Sequence, residues 1–274
     1  MKTLCYALRY SIHPSIKNCG YVLVAMLALV ISVTVFEGGF SVGRAAKLSR
    51  LPDTAMSRIM QLWESNPKQG IDSFSVSAPN YMDWRNQNAV FEHVAAYREQ
   101  SFRLTDKGAD GLVLGANVSA NLFQALDVTP AQGRTFLPGE DQFGKERVVI
   151  VSHNLWQQRF GGSANLSGKT LTLNGDNYTV IGVMPPDFRF PLHVDKPGGL
   201  QSPPWNENVE MWLPLTMSVN QFGRGERFLR VIARLKPGIT PAEARKEMES
   251  LARHLERQHP RTNTGWSLVM TPLK

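Results

Sequence analysis

Residues 147–191 read RVVIVSHNLWQQRFGGSANLSGKTLTLNGDNYTVIGVMPPDFRFP, and the succession of patterns in them decides the fold class. The apolar run Val148-Val149-Ile150-Val151 has strand character and stops at Ser152, which can cap a short helix over residues 153–160. Gly161-Gly162 breaks that helix. Two β-patterned runs follow, at 170–174 and 178–184, joined through Asn174-Gly175-Asp176-Asn177. Asn-Gly between alternating apolar residues is a strong hairpin signal, because both residues tolerate positive φ. Pro185-Pro186 ends the second strand, since proline has no amide hydrogen to donate.

The same stretch carries Gly162 and Gly168-Lys169-Thr170, which suggests a phosphate-binding loop. That loop needs glycine five positions before the second glycine, a strand before it and a helix after it. Here Ser163 holds the position, a helix pattern precedes and a strand pattern follows. The glycine–lysine pair therefore reads as a turn.

Working outward, the interleaving continues. Ser77-Ala78-Pro79 can open a helix, and Phe91, Val94 and Ala95 keep helical spacing. Asp83-Trp84-Arg85 reads as a helix with a local salt bridge. Tyr81, Trp84, Phe91 and Tyr97 read as core packing in preference to a ligand cage. Residues 101–105 and 112–118 read as strands about Asp106-Lys107-Gly108, and Ser119 as the cap of a helix over 120–126. Residues 58–63 fit strand or helix, and 193–208 form an irregular Pro/Gly-rich excursion.

Residues 209–215 and 228–235 are further strand candidates. Thr240-Pro241-Ala242-Glu243 has the composition of a capping box, with Ala244, Met248, Leu251, Ala252 and Leu255 on one helix face. Pro260 stops that helix before a last strand at 266–270. The class is α+β, a mixed α/β core with β-hairpins.

No catalytic set accompanies these elements. His254 and His259 bracket a helix end and share no face, and Glu140-Asp141 lacks further carboxylates at ligand spacing. No Gly-x-Ser-x-Gly elbow exists, and the two cysteines, Cys5 and Cys19, lie in the N-terminal arm. A hydrolase would lack a nucleophile, and no cofactor or metal is expected.

The net charge of +7 is concentrated at the start: residues 1–60 hold seven Lys/Arg against two Asp/Glu, and the remainder hold 23 against 21. This distribution disfavours a nucleic-acid partner. Between Lys17 and Glu37 lie 19 uncharged residues, NCGYVLVAMLALVISVTVF. At ~1.5 Å per residue they span roughly 28 Å, close to the ~30 Å of a bilayer core. A cleaved signal peptide would place Arg44 at −3 of the nearest small-residue site, so a retained transmembrane helix over 18–40 is expected. Gly20, Val24, Leu27, Val30 and Phe36 mark the span, whose partner is the lipid bilayer. Lys2, Arg9 and Lys17 before it balance Arg44, Lys47 and Arg50 after it, so charge leaves its orientation open.

Several pieces resemble the MacB-like periplasmic core domain of bacterial ABC-type permeases, in its internally duplicated branch. They include Asn80-Tyr81-Met82-Asp83-Trp84-Arg85, Val118-Ser119-Ala120-Asn121-Leu122-Phe123, Gly133-Arg134-Thr135-Phe136, Leu173-Asn174-Gly175 and Ala233-Arg234-Leu235-Lys236-Pro237-Gly238. Val30-Ile31-Ser32-Val33 departs from the glycine-rich run usual there.

The resemblance implies a cytoplasmic arm (1–17), the membrane helix (18–40), a connecting segment (41–76) and a periplasmic core (77–274). It further implies an inner-membrane location with the N-terminus inside, and a non-catalytic role in export or mechanotransmission. The partners implied are a separate ABC ATPase subunit, further permease subunits or a periplasmic adaptor. The chain stops at Lys274, where a second membrane helix is expected, as in a truncated permease. A free-standing periplasmic interaction or sensor module is the alternative.

Overall fold

A computed structural model describes residues 57–106, 109–190, 209–217 and 222–273. The anticipated membrane segment 18–40, the excursion at 193–208 and the turn at 107–108 lie outside these residues. Among the described residues no helix is long and apolar enough to cross a membrane.

Four antiparallel strands form the first sheet: β1 (Ile59–Asn66) lies between β12 (Ser267–Pro272) and β11 (Arg227–Leu235), and β11 pairs with β4 (Phe91–Asp106). The short strands β2 (Ile71–Phe74) and β3 (Val76–Ser77) add to β1 and β11. Of residues 58–63, all but Arg58 resolve as strand. Their alternation is hidden because every residue of β1 is buried, leaving no polar face to mark the period.

Met60 and Leu62 pack beneath two helices, α1 (Ala78–Gln87) and α4 (Pro241–Gln258), together with Tyr81, Trp84, Ala244 and Met248. Both helices start as the residues foretell. Ser77 Oγ accepts from the Asn80 amide at 3.3 Å, and Thr240 and Glu243 form a reciprocal capping box.

Two expectations fail around α1. Phe91, Val94 and Ala95 belong to a strand, not a helix. A bulge opposite Arg234 and Leu235 inserts one residue, so Phe91 and Val94 reach the same core although three positions apart. Asp83 makes no salt bridge within its helix; it pairs with Arg224 at 2.6 Å. Tyr81, Trp84 and Phe91 share one core, while Tyr97 points into another, so the four aromatics form no cage.

The second half of β4 turns into β5 (Ala109–Val118). From there pairing runs through β10 (Met211–Pro214), β7 (Val148–Val151) and β9 (Asp176–Val183) to β8 (Thr170–Leu173). β8 returns to β4 through Leu104 and Leu173, so six strands close a ring. Phe102, Leu104, Val149, Val151, Leu171, Val180 and Met211 share its core, with Leu155 and Trp156 from α3 (His153–Phe160). Ser152 Oγ caps α3 through the Leu155 amide at 3.0 Å, as expected.

The 147–191 hairpin is tighter than its sequence suggests, with only Asn174 (φ 53°) and Gly175 (φ 92°) in the turn. The two-residue strand β6 (Gln132–Gly133) adds to β9.

A third cluster seals the first sheet to the ring. Tyr97 and Ile232 from the sheet meet Ile150 and Trp212 from the ring under α2 (Leu122–Leu126) and Phe188. Ser119 does not cap this helix. Its hydroxyl accepts from the Ala96 amide at 3.0 Å, on the edge of β4 that faces away from β11 and that β5 no longer covers.

Candidate functional site

The chemistry-bearing residues singled out in the sequence do not converge. Gly168 sits at φ 70° in a turn between α3 and β8, and Lys169 Nζ lies 5.7 Å from the centroid of the Phe160 ring. No helix follows to present amides to an anion. Glu140 is engaged by Arg134 through contacts of 2.8 and 2.7 Å and by the Leu137 amide at 2.8 Å. Burial opposes the ionisation of Glu140, but these partners together hold its carboxyl below the usual range. Among the described residues no group of three or more His, Cys, Asp or Glu side chains could hold a metal. Gly20, Val24, Leu27, Val30 and Phe36 fall outside the described residues.

Two features organise the molecule instead. The first is a pole where β1 begins and β12 ends: the Leu273 amide donates to the Ile59 carbonyl at 2.9 Å. Arg58 fastens this pole, donating through Nε to the Leu235 carbonyl at 2.9 Å and pairing with Glu92 at 2.8 Å. Lys236 Nζ donates to the Ala89 carbonyl at 2.7 Å. The first and last strands of the domain thus leave from one place.

The second is a buried polar lock at the other end of β1. Glu64 accepts from Asn80 Nδ2 at 2.8 Å, from the Ser77 amide at 3.2 Å and from Arg227 Nε. Arg227 also donates to the Thr262 carbonyl at 3.0 Å and lies 3.6 Å from the centroid of Trp266. Asn80 Oδ1 accepts from Arg224 at 2.7 Å and from Asn263 at 3.1 Å; Asn263 lies in the single-turn helix α5 (Pro260–Asn263). Burial pushes the Glu64 carboxyl up, against the Arg227 charge and the donated hydrogen bonds. The arrangement ties β1, α1, β11 and α5 together with neighbours for every charge, which suits a rigid strut more than a reaction centre. Sequence reasoning missed it; the trace is a glutamate in a strand that also carries Gln61, Ser65 and Asn66 among its apolar residues.

Between sheet and ring lies a cleft of about 220 Å³ whose walls include Arg98, Asn117, Glu146, Tyr178, Phe222 and Phe228. Gln100 Oε1 accepts from both Arg98 (2.9 Å) and Asn117 (3.0 Å), and Arg98 lies 5.6 Å from the Phe228 ring centroid. Burial, reinforced by Asp176, pushes the Tyr178 phenol up. The cleft presents no nucleophile beside a base.

Comparison with known proteins follows the fold. A family profile described as MacB-like periplasmic core domain matches residues 22–251. No curated protein matches the chain. The periplasmic region of MacB from Actinobacillus actinomycetemcomitans is similar in structure, with a TM-score of 0.55 at 14% identity, covering 82% of this chain and 94% of that one. The extracellular domain of the noncanonic ABC-type transporter YknZ from Gram-positive bacteria gives 0.51 at 16%, covering 77% and 99%. A domain of a protein designated a permease from Porphyromonas gingivalis gives 0.56 at 15%, covering 80% and 92%.

Proposed function

Since the chain belongs to the family of MacB-like periplasmic core domains, we propose that it acts as the non-catalytic extracytoplasmic domain of an ABC-type permease, held at the inner membrane by residues 18–40. The family match over residues 22–251 carries this reading. Two structural observations support it. β1 and β12 leave from one pole, so displacements delivered there act on adjacent strands of one sheet. The Glu64–Arg227 lock and the closed ring stiffen what lies beyond, so the domain is suited to passing motion on as a body. In this role the N-terminus is cytoplasmic, the core is periplasmic, and an ATPase subunit, further permease subunits or an adaptor are the partners.

The test is cysteine accessibility in intact cells with a permeable outer membrane. Leu112 is 75% exposed, and the described residues contain no cysteine. A Leu112→Cys chain is expected to react with a membrane-impermeant maleimide before lysis and to sediment with membranes. Native Cys5 is expected to react only after permeabilisation. A protein recovered in the cytoplasmic fraction overturns the proposal. Recovery at the membrane without ATPase or permease subunits would favour a free-standing interaction module.

A further inference from the structure

Beyond Tyr97 the partner strand β5 ends, and residues 91–96 of β4 are left with an open edge. The turn at 119–121 closes it: the Ser119 amide donates to the Ala96 carbonyl at 2.8 Å, and Asn121 Nδ2 donates to the Val94 carbonyl at 3.0 Å. In doing so the turn brings Asn121 and Gln124 opposite the end of α1 and the loop at 136–141. A concavity of about 270 Å³ results, lined by Arg85, Asn121, Gln124, Phe136, Pro138 and Asp141.

Two opposite charges line it. Arg85 and Asp141 are both half-buried. The Arg85 guanidinium rests 5.6 Å from the Tyr81 ring centroid, and its Nε reaches the neighbouring Asn86 Oδ1 at 3.5 Å. Asp141 has no ion pair or hydrogen bond among the described residues, although the adjacent Glu140 is held bidentately by Arg134. The side chain of Tyr81 is wholly buried. Burial pushes its phenol up, with Arg85 and a hydrogen bond with Ser119 opposing the shift and Asp141 adding to it, so both charges act on the same buried hydroxyl.

A cation and an anion that line one recess without pairing with each other match a ligand that carries both opposite charges. Drug-sized ligands occupy roughly 300–1,000 Å³, so this recess suits something smaller. Phe136 and Pro138 supply an apolar wall for its side chain. We propose that this concavity binds a small zwitterion, an apolar α-amino acid, with its carboxylate on Arg85 and its ammonium on Asp141. The assignment stands apart from the permease role and does not depend on a transport partner.

The experiment is calorimetric titration of the detergent-purified full chain with L-leucine, N-acetyl-L-leucine and L-leucinamide. L-Leucine is expected to bind at least about tenfold more tightly than either blocked form, each of which gives up one charge contact. Arg85→Gln should bring L-leucine to the level of L-leucinamide, and Asp141→Asn to that of N-acetyl-L-leucine. Gln124 is exposed on the rim, so Gln124→Trp should fill the recess and abolish binding without altering charge or core. Equal binding of all three ligands overturns the proposal. So does the absence of L-leucine binding up to about 10 mM, or binding that survives Gln124→Trp. Should Arg85→Gln fail to fold, the other two variants decide.

Discussion

Glu64 and Arg227 stand 163 positions apart and meet where water is nearly absent, their side chains 1% and 6% exposed. Removing one member of such a pair strands the other, at a cost of about 3–5 kcal/mol. Arg227→Ala is therefore expected to lose that much stability in urea unfolding, and Glu64→Gln in the same background to recover part of it. The loss should also depend on pH in a definite direction. Burial already raises the Glu64 carboxyl, and without Arg227 it rises further. A raised folded value holds stability below the unfolded carboxylate pKa of ~4.3 and forfeits it as pH climbs. The Arg227→Ala deficit should thus shrink as pH falls toward about 4, and a deficit independent of pH would exclude a stranded carboxylate.

Tyr97 gives the corresponding case on the alkaline side. It is wholly buried, and burial pushes it to about 12, with the charge and hydrogen bond of Arg230 opposing and Glu99 adding. The unfolded phenol ionises near ~10, so stability present below that pH falls by about 1.4 kcal/mol per unit toward 12. Tyr97→Phe should lose less stability than the wild-type chain over that interval, as read from denaturant midpoints. Neither residue could be assigned its role from sequence, because both roles depend on what folds against them.

At the scale of elements, local signals were legible and long-range ones were not. The Thr240 capping box, the Ser77 and Ser152 caps and the Asn174-Gly175 turn each rest on residues within four positions of one another. β1 was ambiguous because burial on both faces erases alternation. The start of β4 was misread because a bulge produces the three-residue spacing of a helix. Ser119 was misassigned for a related reason: its hydroxyl satisfies a strand edge 23 residues away. The hairpin turn also has a second duty that its local pattern does not reveal. Asn174 Oδ1 accepts from the Arg103 amide and the Asn174 amide donates to the Arg103 carbonyl, each at 2.8 Å, so this residue helps close the ring. Asn174→Ala places an alanine at φ 53° and removes one of those bonds. It should cost about 2–3 kcal/mol, from the left-handed conformation and the lost acceptor together. Asn174→Gly should cost distinctly less in thermal unfolding, since glycine relieves the conformational part. Equal losses would place the whole effect in the hydrogen bond.

At the scale of the molecule, β4 is the shared member. Its first half pairs with β11 in the open sheet, and its second half pairs with β5 and β8 in the ring. The cluster around Phe123 and Trp212 draws side chains from both halves, so separating them would expose a common core. One cooperative unit is therefore expected, as rigid transmission from the β1/β12 pole requires. Gly115 allows this to be tested from inside the ring. A Cβ there would lie 2.8 Å from Met211 Cγ and 2.8 Å from a ring carbon of Phe102, both buried. Gly115→Ala should overpack the ring at a cost of about 1–3 kcal/mol. In native-state hydrogen exchange, protection at Val180 in β9 and at Val231 in β11 should fall by the same amount, because a single global opening exposes both. Lowered protection confined to Val180 would mean that the ring opens by itself. Motion delivered at the pole would then be absorbed before it reached the ring.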